Sequence, residues 1–216
     1  MHVEDIVEII KKHLHINHEN IKWGIIGVTE LIKCPLRLWF EDKEQPIMTR
    51  QMYYGDLCHK ALFTRLHPFT LSHIMYIEPE LVYPVWCNGK NIHVIGRPDI
   101  VAIGNGKLKV IEVKFANVIV PEYFKQVAVY KLLARNKYWF KKEDTEGYIM
   151  QITDDGEIRI HKVEEEVDEE WIWYRACQLY EYFEKNEQPP PEKGDHCKYC
   201  PYRGRCTSKT LDEWEK

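Results

Sequence analysis

The sequence predicts a mixed α/β domain in which an antiparallel meander of three strands is flanked by helices. Two turn signals, Asn88-Gly89 and Asn105-Gly106, separate apolar stretches that are typical of strands at residues 74–86, 92–103 and 107–115. Apolar residues at helical spacing occur on both sides of these stretches. The chain has 216 residues, of which 44% are hydrophobic, so it is long enough to bury a sizeable core as a single domain.

Three helices are expected before the strands. The first covers residues 3–14, and the third covers residues 52–66 and carries His59. Between them, Thr29 is the expected N-cap of a helix in which Pro35 lies early or introduces a kink. Residues 1–50 therefore form an N-terminal helical part of the domain.

A helix, a hairpin and a long final helix are expected after the strands. In chain order they cover residues 121–135, 148–153 paired with 157–161, and 168–186. Pro121 begins the first helix and Asp168 caps the last one. The core of the domain thus spans residues 51–162. Residues 163–216 supply the last helix and a small lobe that contains cysteines.

Charge and cysteine content restrict the expected environment and partners. The formal charge of −4 gives no global attraction to nucleic acid, so any such contact must come from local basic patches. No stretch is apolar and long enough to cross a bilayer, and the start of the chain lacks the features of a signal peptide. We therefore expect a cytoplasmic protein, whose seven cysteines are better candidates for metal ligation than for a disulfide framework.

The second predicted hairpin, which turns at Asn105-Gly106, brings two acids together. If Asn105-Gly106 is a two-residue type I′ turn, Gly104 pairs with Lys107 and Asp99 lies opposite Glu112. Opposed Cβ atoms are about 5 Å apart, so the two carboxylates repel each other unless a cation lies between them. Alternation along the second strand sends one set of side chains to the buried side, namely Ile111, Val113 and Phe115, and the other set, Val110, Glu112 and Lys114, to the acid-bearing side.

These residues suggest a metal-dependent phosphodiesterase site. Asp99, Glu112, the carbonyl of Val113 and the imidazole of His59 would bind Mn²⁺ or Mg²⁺, with the histidine favouring Mn²⁺. Lys114 would orient or deprotonate the attacking water and stabilise the developing charge. Gln126 and Tyr130 lie on one helix face, where they would contact the DNA backbone or Lys114.

Each of these features also has an ordinary structural interpretation. Ile-Glu-Val-Lys is common in edge strands, a histidine on a helix is often only packed, and Gln126 and Tyr130 suit ordinary packing. Their order along the chain, each on the type of element that the chemistry requires, favours catalysis. Residues 55–130 resemble the RecB-like branch of the PD-(D/E)xK nuclease superfamily. That resemblance implies functional roles for His59, Asp99, Glu112, Lys114, Gln126 and Tyr130, and a mixed central sheet flanked by helices.

The cysteines form a second candidate site. Cys197, Cys200 and Cys206 lie together near the end of the chain, and Cys34 offers a fourth thiolate from far upstream. The spacing favours an iron–sulfur cluster, while a structural zinc site remains the alternative. The other three cysteines, Cys58, Cys87 and Cys177, are expected to be small buried apolar residues.

The arrangement of these cysteines around a nuclease core is similar to that of the CRISPR-associated Cas4 exonucleases. The resemblance implies a cluster bound by Cys34, Cys197, Cys200 and Cys206, preferably [4Fe-4S] and alternatively [2Fe-2S]. It implies a 5′-to-3′ exonuclease, with endonuclease activity as a second mode, that forms nucleoside 3′-phosphates from single-stranded DNA or DNA with single-stranded ends. The implied role is CRISPR adaptation in antiviral defence, with the adaptation integrase as partner and a homo-oligomer as one possible state.

Two further interpretations remain open from the sequence. A DNA-end-binding adaptor and a recombination or repair nuclease would share the same motifs.

A basic set near the cysteines would guide single-stranded DNA, with Tyr199 and Tyr202 as stacking partners. Its members are Lys33, Arg37, Lys198, Arg203, Arg205 and Lys209.

Overall fold

The computed structural model describes residues 19–43, 50–66 and 75–206. The helix expected at residues 3–14, the start of the strand expected at residue 74, and Lys209 lie outside these ranges. None of the helices within the described ranges is both long and apolar enough to cross a membrane.

Most of the described helices lie before and after a central run of five consecutive strands. The helices are α1 (Glu19–Lys22), α2 (Val28–Leu31), α3 (Pro35–Lys43), α4 (Arg50–Leu66), α5 (Pro121–Tyr138) and α6 (Glu169–Lys185). The strands are β1 (Ile25–Gly27), β2 (Met75–Ile77), β3 (Leu81–Cys87), β4 (Lys90–Gly96), β5 (Ile100–Gly104), β6 (Lys107–Phe115), β7 (Thr145–Ile152) and β8 (Ile158–Lys162). Short 3₁₀ turns occupy Lys142–Asp144, Asp195–Tyr199 and Arg203–Arg205.

The strands form two sheets rather than one meander. The larger sheet has the order β2-β5-β6-β7-β8, with β6 and β7 parallel and the other pairs antiparallel, which confirms the mixed sheet. The smaller sheet has the order β1-β4-β3. Each of the first two predicted strands is broken, because Glu78 adopts a positive φ of 45° and Pro98 cannot donate to a ladder. The two hairpins consequently lie in different sheets.

The helix expected from Thr29 is also divided in two. Gly27, rather than Thr29, precedes α2, and its N–H donates to the Glu30 carboxylate at 2.6 Å. Pro35 begins α3, where its fixed φ suits a first helical position and disfavours a helical conformation at Cys34. The last helix agrees with the prediction, since Asp168 accepts the N–H of Trp171 at 2.7 Å.

Helices cover both faces of strand β6, so the expectation of a single buried face was wrong. On the Glu112 side, Leu108 and Val110 pack in the main core with residues of α5 such as Leu133. On the opposite side, Val113 packs with Phe63 of α4. The acid-bearing face is therefore an interior surface.

One pair of cysteines is joined by a disulfide. Cys87 at the end of β3 and Cys177 on α6 are buried as expected, but they are bonded to each other with Cα atoms 5.5 Å apart. Packing of α6 against β3 brings together residues that are 90 positions apart, and local spacing carries no signal of this. The third leftover cysteine, Cys58, is exposed on α4, contrary to expectation.

Candidate active site and cysteine pocket

The turn between β5 and β6 sets the register of the acidic residues. Asn105 and Gly106 have φ values of 53° and 72°, and Gly104 pairs with Lys107 as predicted. The ladder ends at the pair Ile100 and Ile111, one residue short of the expected pairing of Asp99 with Glu112. Asp99 still connects to the second strand, because its Oδ2 accepts the N–H of Val113 at 2.6 Å.

His59 approaches the same place from helix α4. Its Nε2 lies 2.8 Å from the carbonyl oxygen of Val113, and its Nδ1 lies 3.4 Å from Asp99 Oδ1. The rings of Phe63 and Phe115 pack against the imidazole, with centroid distances of 5.5 and 5.3 Å. His59, Asp99 and the main chain of Val113 therefore meet at one place, and Glu112 is the residue before Val113 on β6.

Lys114 lies on the Glu112 side of the strand, as the alternation predicts. Its Nζ is 2.8 Å from Glu112 Oε1 and 4.6 Å from the centroid of the Tyr123 ring. The ammonium is thus held between a carboxylate and the face of an aromatic ring, which is a favourable position for a cation.

Burial and mutual charge shift the pKa values of these groups. Burial raises the pKa of Glu112, and the charge of Asp99 raises it further against the opposing effect of Lys114. Burial would lower the pKa of Lys114, but the charge and hydrogen bond of Glu112 outweigh it and raise that pKa. For His59 the lowering effect of burial is likewise outweighed by Asp99, so its pKa is raised. The acidic groups of this site therefore favour the positively charged forms of Lys114 and His59.

The residues present fit a divalent cation. Glu112 Oε2 is buried and has no hydrogen-bond partner among the described residues, which is costly for a carboxylate oxygen unless a cation binds it. Asp99 and Glu112 also supply two oxygen-bearing carboxyl groups of the kind that Mg²⁺ and Mn²⁺ prefer. Within the described ranges, no three His, Cys, Asp or Glu side chains already have the arrangement of a formed metal site. The fit therefore rests on the donor set and on the unpaired oxygen.

Gln126 and Tyr130 lie behind the acids. The Gln126 side chain donates to the Tyr130 hydroxyl at 3.0 Å, and both residues are only 4% exposed. Gly96 permits the tyrosine to approach, because a Cβ at this position would lie 2.7 Å from its ring. Burial and the charge of Glu112 raise the pKa of Tyr130. These buried groups are not exposed for the predicted contact with a DNA backbone, and they line the interior near Glu112.

An open cleft adjoins the site at His59. Its volume is about 770 Å³, and it lies between helix α4 and the end of strand β2. Lys60 and Thr64 line the helix side, and Ile77 and Glu78 line the strand side. The cleft offers room for a strand of nucleic acid beside the candidate metal ligands.

The four predicted cluster cysteines line one pocket, here called the cysteine pocket. Cys34 comes from the start of α3, and Cys197, Cys200 and Cys206 come from the C-terminal 3₁₀ turns. All four are half-buried and take no part in a disulfide, and burial raises the pKa of Cys200. Four thiols around one pocket are a suitable donor set for an iron–sulfur cluster or for zinc.

The basic set near the cysteine pocket is partly neutralised. Lys33 and Arg37 both pair with Glu41, at 3.0 and 2.8 Å. Tyr199 is 64% exposed and available for stacking. Tyr202 is not available for stacking on a base, because it is 3% exposed and its ring stacks on that of Phe40, with centroids 5.5 Å apart. The expectation that Tyr202 contacts DNA was wrong, since its ring fills the wall of the pocket.

Two residues near these sites escaped the sequence analysis. Tyr123 lies three residues before Gln126 on α5, and this helical spacing was the available signal. Arg175 on α6 contacts the segment before Cys34, and no pattern in the sequence indicates that contact.

A sequence model of the PD-(D/E)XK nuclease superfamily matches residues 39–207. The match covers most of the chain, and the chain belongs to this superfamily, whose nucleases use divalent metal ions. It is similar to the CRISPR-associated exonuclease Cas4 of Saccharolobus solfataricus, with 27% identity over 207 residues that cover 93% of this chain and 94% of that protein. It is also similar to the crystal structure of SSO0001, with a TM-score of 0.63 and 25% identity, covering 95% of this chain and 98% of that one.

Proposed function

We propose that this protein is a metal-dependent DNA exonuclease with 5′-to-3′ polarity. Its substrate is single-stranded DNA or DNA with single-stranded ends, and internal cleavage is a further activity of the same site. Membership in the nuclease superfamily and similarity to a protein named as a CRISPR-associated exonuclease support the proposal.

His59, Asp99, Glu112 and the carbonyl of Val113 would hold Mn²⁺ or Mg²⁺. When bound, such an ion supplies positive charge that makes water more acidic and stabilises negative charge on a phosphate. The chain itself orients the ligands, since the N–H of Val113 fixes Asp99 and packed aromatic rings fix His59.

Lys114 is the residue that acts on the reacting groups. Its ammonium is held by Glu112 and by the Tyr123 ring, and in the proposed reaction it would donate to the attacking water or to the phosphate. A preorganised cation in a site with little water stabilises developing phosphate charge strongly. Gln126 and Tyr130 support this face from the interior as a hydrogen-bonded pair.

The observation that carries the proposal is the buried Glu112 Oε2 without a hydrogen-bond partner among the described residues, beside Asp99, His59 and Lys114. The direct test incubates end-labelled single strands with Mn²⁺, Mg²⁺ or EDTA. We expect hydrolysis with either ion and none after chelation. Label placed at the 5′ or the 3′ end distinguishes the polarity, and activity that survives complete chelation would refute the mechanism.

We assign the cysteine pocket to an iron–sulfur cluster held by Cys34, Cys197, Cys200 and Cys206. A [4Fe-4S] cluster is the favoured form and [2Fe-2S] the alternative. Anaerobic purification followed by absorbance spectroscopy and by iron and sulfide quantitation tests this directly. Zinc without sulfide at one ion per chain would show a structural zinc site instead.

The proposed biological role is the generation or trimming of spacer precursors in CRISPR adaptation, in the cytoplasm and together with the adaptation integrase. Similarity along almost the full length of a CRISPR-associated exonuclease supports it. Co-purification of tagged protein with the integrase, and spacer acquisition in cells that lack the gene, test this role separately from the chemistry.

A further inference from the structure

Arg175 occupies a buried position between two distant segments of the chain. It lies on α6, and the residue is 7% exposed. A buried guanidinium is costly unless its N–H groups are bonded. This one meets five acceptors, so each of the five donors of an arginine side chain has a partner.

On one side, Arg175 binds the segment that leads to Cys34. Its Nε donates to the carbonyl of Leu31 at 3.0 Å, and Nη2 donates to the carbonyl of Lys33 at 2.5 Å. Leu31 is the last residue of α2, and Lys33 directly precedes Cys34. The last carbonyls of a helix need partners, and here the guanidinium supplies them.

On the other side, Arg175 binds the segment that leads to Cys197. Nη1 and Nη2 donate to the two carboxylate oxygens of Glu192, a two-point contact that fixes orientation as well as distance. The carbonyl of Glu192 in turn accepts the Cys197 thiol at 3.7 Å and faces His196 Nε2 at 3.0 Å. Glu192 itself lines the cysteine pocket.

We infer that Arg175 is a positioning residue that holds the segment of Cys34 against the segment of Cys197, so that the four cysteines share one pocket. The inference rests on the proposed assignment of these cysteines to a metal cluster. Arg175 touches none of the reacting atoms of the nuclease site, and its effect is on the assembly of the cluster site. Lysine cannot replace it, since an ammonium has three donors and no planar fork.

The test compares wild type with Arg175→Gln, Arg175→Lys and Glu192→Gln. Each protein is reconstituted anaerobically with ferrous iron and sulfide, and the iron retained after desalting is measured per folded chain. Loss of a group that orients metal ligands lowers metal affinity about 10- to 100-fold. We expect the affinity for iron to fall within this range in both Arg175 variants, so that they retain less iron than wild type. The loss should be smaller for Glu192→Gln, whose side chain is 41% exposed.

A second measurement needs no cluster. The apo proteins are treated with a short bismaleimide, and the yield of peptides that link Cys34 to Cys197 or Cys200 is measured by mass spectrometry. We expect efficient linkage in wild type and little in the Arg175 variants. Glu192→Gln is a milder second perturbation if an Arg175 variant does not fold, because its amide oxygen can still accept one N–H of the guanidinium while the carboxylate charge and the second acceptor are lost.

Arg135→Gln is the matched control. Arg135 is a partly buried arginine that pairs with Glu166, and it is not among the residues lining the cysteine pocket. Its replacement should lower stability while leaving iron retention and cross-linking unchanged. If wild type itself binds neither iron nor sulfide, the cluster assignment fails, and the cross-linking result still decides the role of Arg175. If folded Arg175 and Glu192 variants linked Cys34 to Cys197 or Cys200 with the same yield as wild type, the inference would be overturned.

Discussion

The candidate active site and the cysteine pocket are assembled in opposite ways. Asp99, Glu112 and Lys114 belong to one hairpin, and its turn and main-chain ladder determine their spacing. Cys34 and Cys197 lie near opposite ends of the described chain, and side chains rather than a ladder hold their segments together. The Arg175 contact with Leu31 alone joins residues 144 positions apart.

This difference has consequences for stability and for loading with metal. A hairpin that forms locally keeps its geometry as long as the sheet persists. A site closed by a few side-chain contacts depends on each of them, and on the packing of the helix that carries them. We therefore expect substitutions to affect the two regions separately, and the following predictions test that separation.

The largest effect should follow from replacing Lys114. Lys114→Ala removes the donor that is proposed to act on the phosphate, and we expect kcat to fall about 100- to 1000-fold. In Lys114→Gln the amide still donates to Glu112, so this variant should be similarly inactive but better folded. The measurement is single-turnover cleavage of end-labelled DNA, with DNA affinity determined in parallel.

Iron and sulfide content serves as the control for the Lys114 variants. It should remain at the wild-type level, because the cysteine pocket does not contact Lys114. Spacer acquisition that persists with a catalytically dead Lys114 variant would favour the DNA-end-binding adaptor over the nuclease. A simultaneous loss of cluster would contradict the separation of the two regions.

Removing the disulfide should affect stability rather than chemistry. Cys87→Ser combined with Cys177→Ser opens a link between β3 and α6 across 90 residues, at an expected cost of about 2–4 kcal/mol in the free energy of unfolding. Urea denaturation under non-reducing conditions measures this cost. Cys58→Ser, which changes an exposed free cysteine, is the control and should be neutral.

The same double variant tests which region depends more on α6. Helix α6 carries Arg175 two residues before Cys177, so loosening the helix should loosen the cysteine pocket first. Amide hydrogen exchange is expected to accelerate in residues 192–206 and to remain slow in β5 and β6. Equal acceleration in both regions would show that the two are not independent.

Much of the geometry of the candidate active site could be predicted because its determinants are local. The Asn105-Gly106 turn fixed the register, and alternation placed Glu112 and Lys114 together. The breaks near Glu78 and Pro98 divided the predicted meander, since the choice between two sheets depends on packing across the whole domain. The clustering of the four cysteines around one pocket also agrees with the sequence analysis.

The features that the sequence did not reveal are long-range contacts. The bond between Cys87 and Cys177, the bridging role of Arg175 and the burial of Tyr202 against Phe40 all join segments far apart in the chain. Nothing in local spacing distinguishes a bridging arginine from one in solvent. Such contacts become visible only when helix packing is known.

The smallest expected effect concerns Tyr123, whose ring faces the Lys114 ammonium at 4.6 Å. A cation–π contact of this kind contributes about 1–2 kcal/mol when partly desolvated. Tyr123→Leu removes the ring and should lower kcat by up to about 10-fold with little change in KM, because Lys114 would be less firmly oriented. Tyr123→Phe keeps the ring and should retain most of the activity.

Phe124→Leu is the matched control for Tyr123→Leu. Both side chains pack on the cluster formed by Val127, Ile149 and Val163, so both substitutions remove an aromatic ring from the same environment. If Tyr123 orients Lys114, only Tyr123→Leu lowers kcat, although both variants lower the melting temperature. Equal losses of kcat in the two variants would show that the Tyr123 ring contributes packing alone, and that Glu112 is sufficient to orient the lysine.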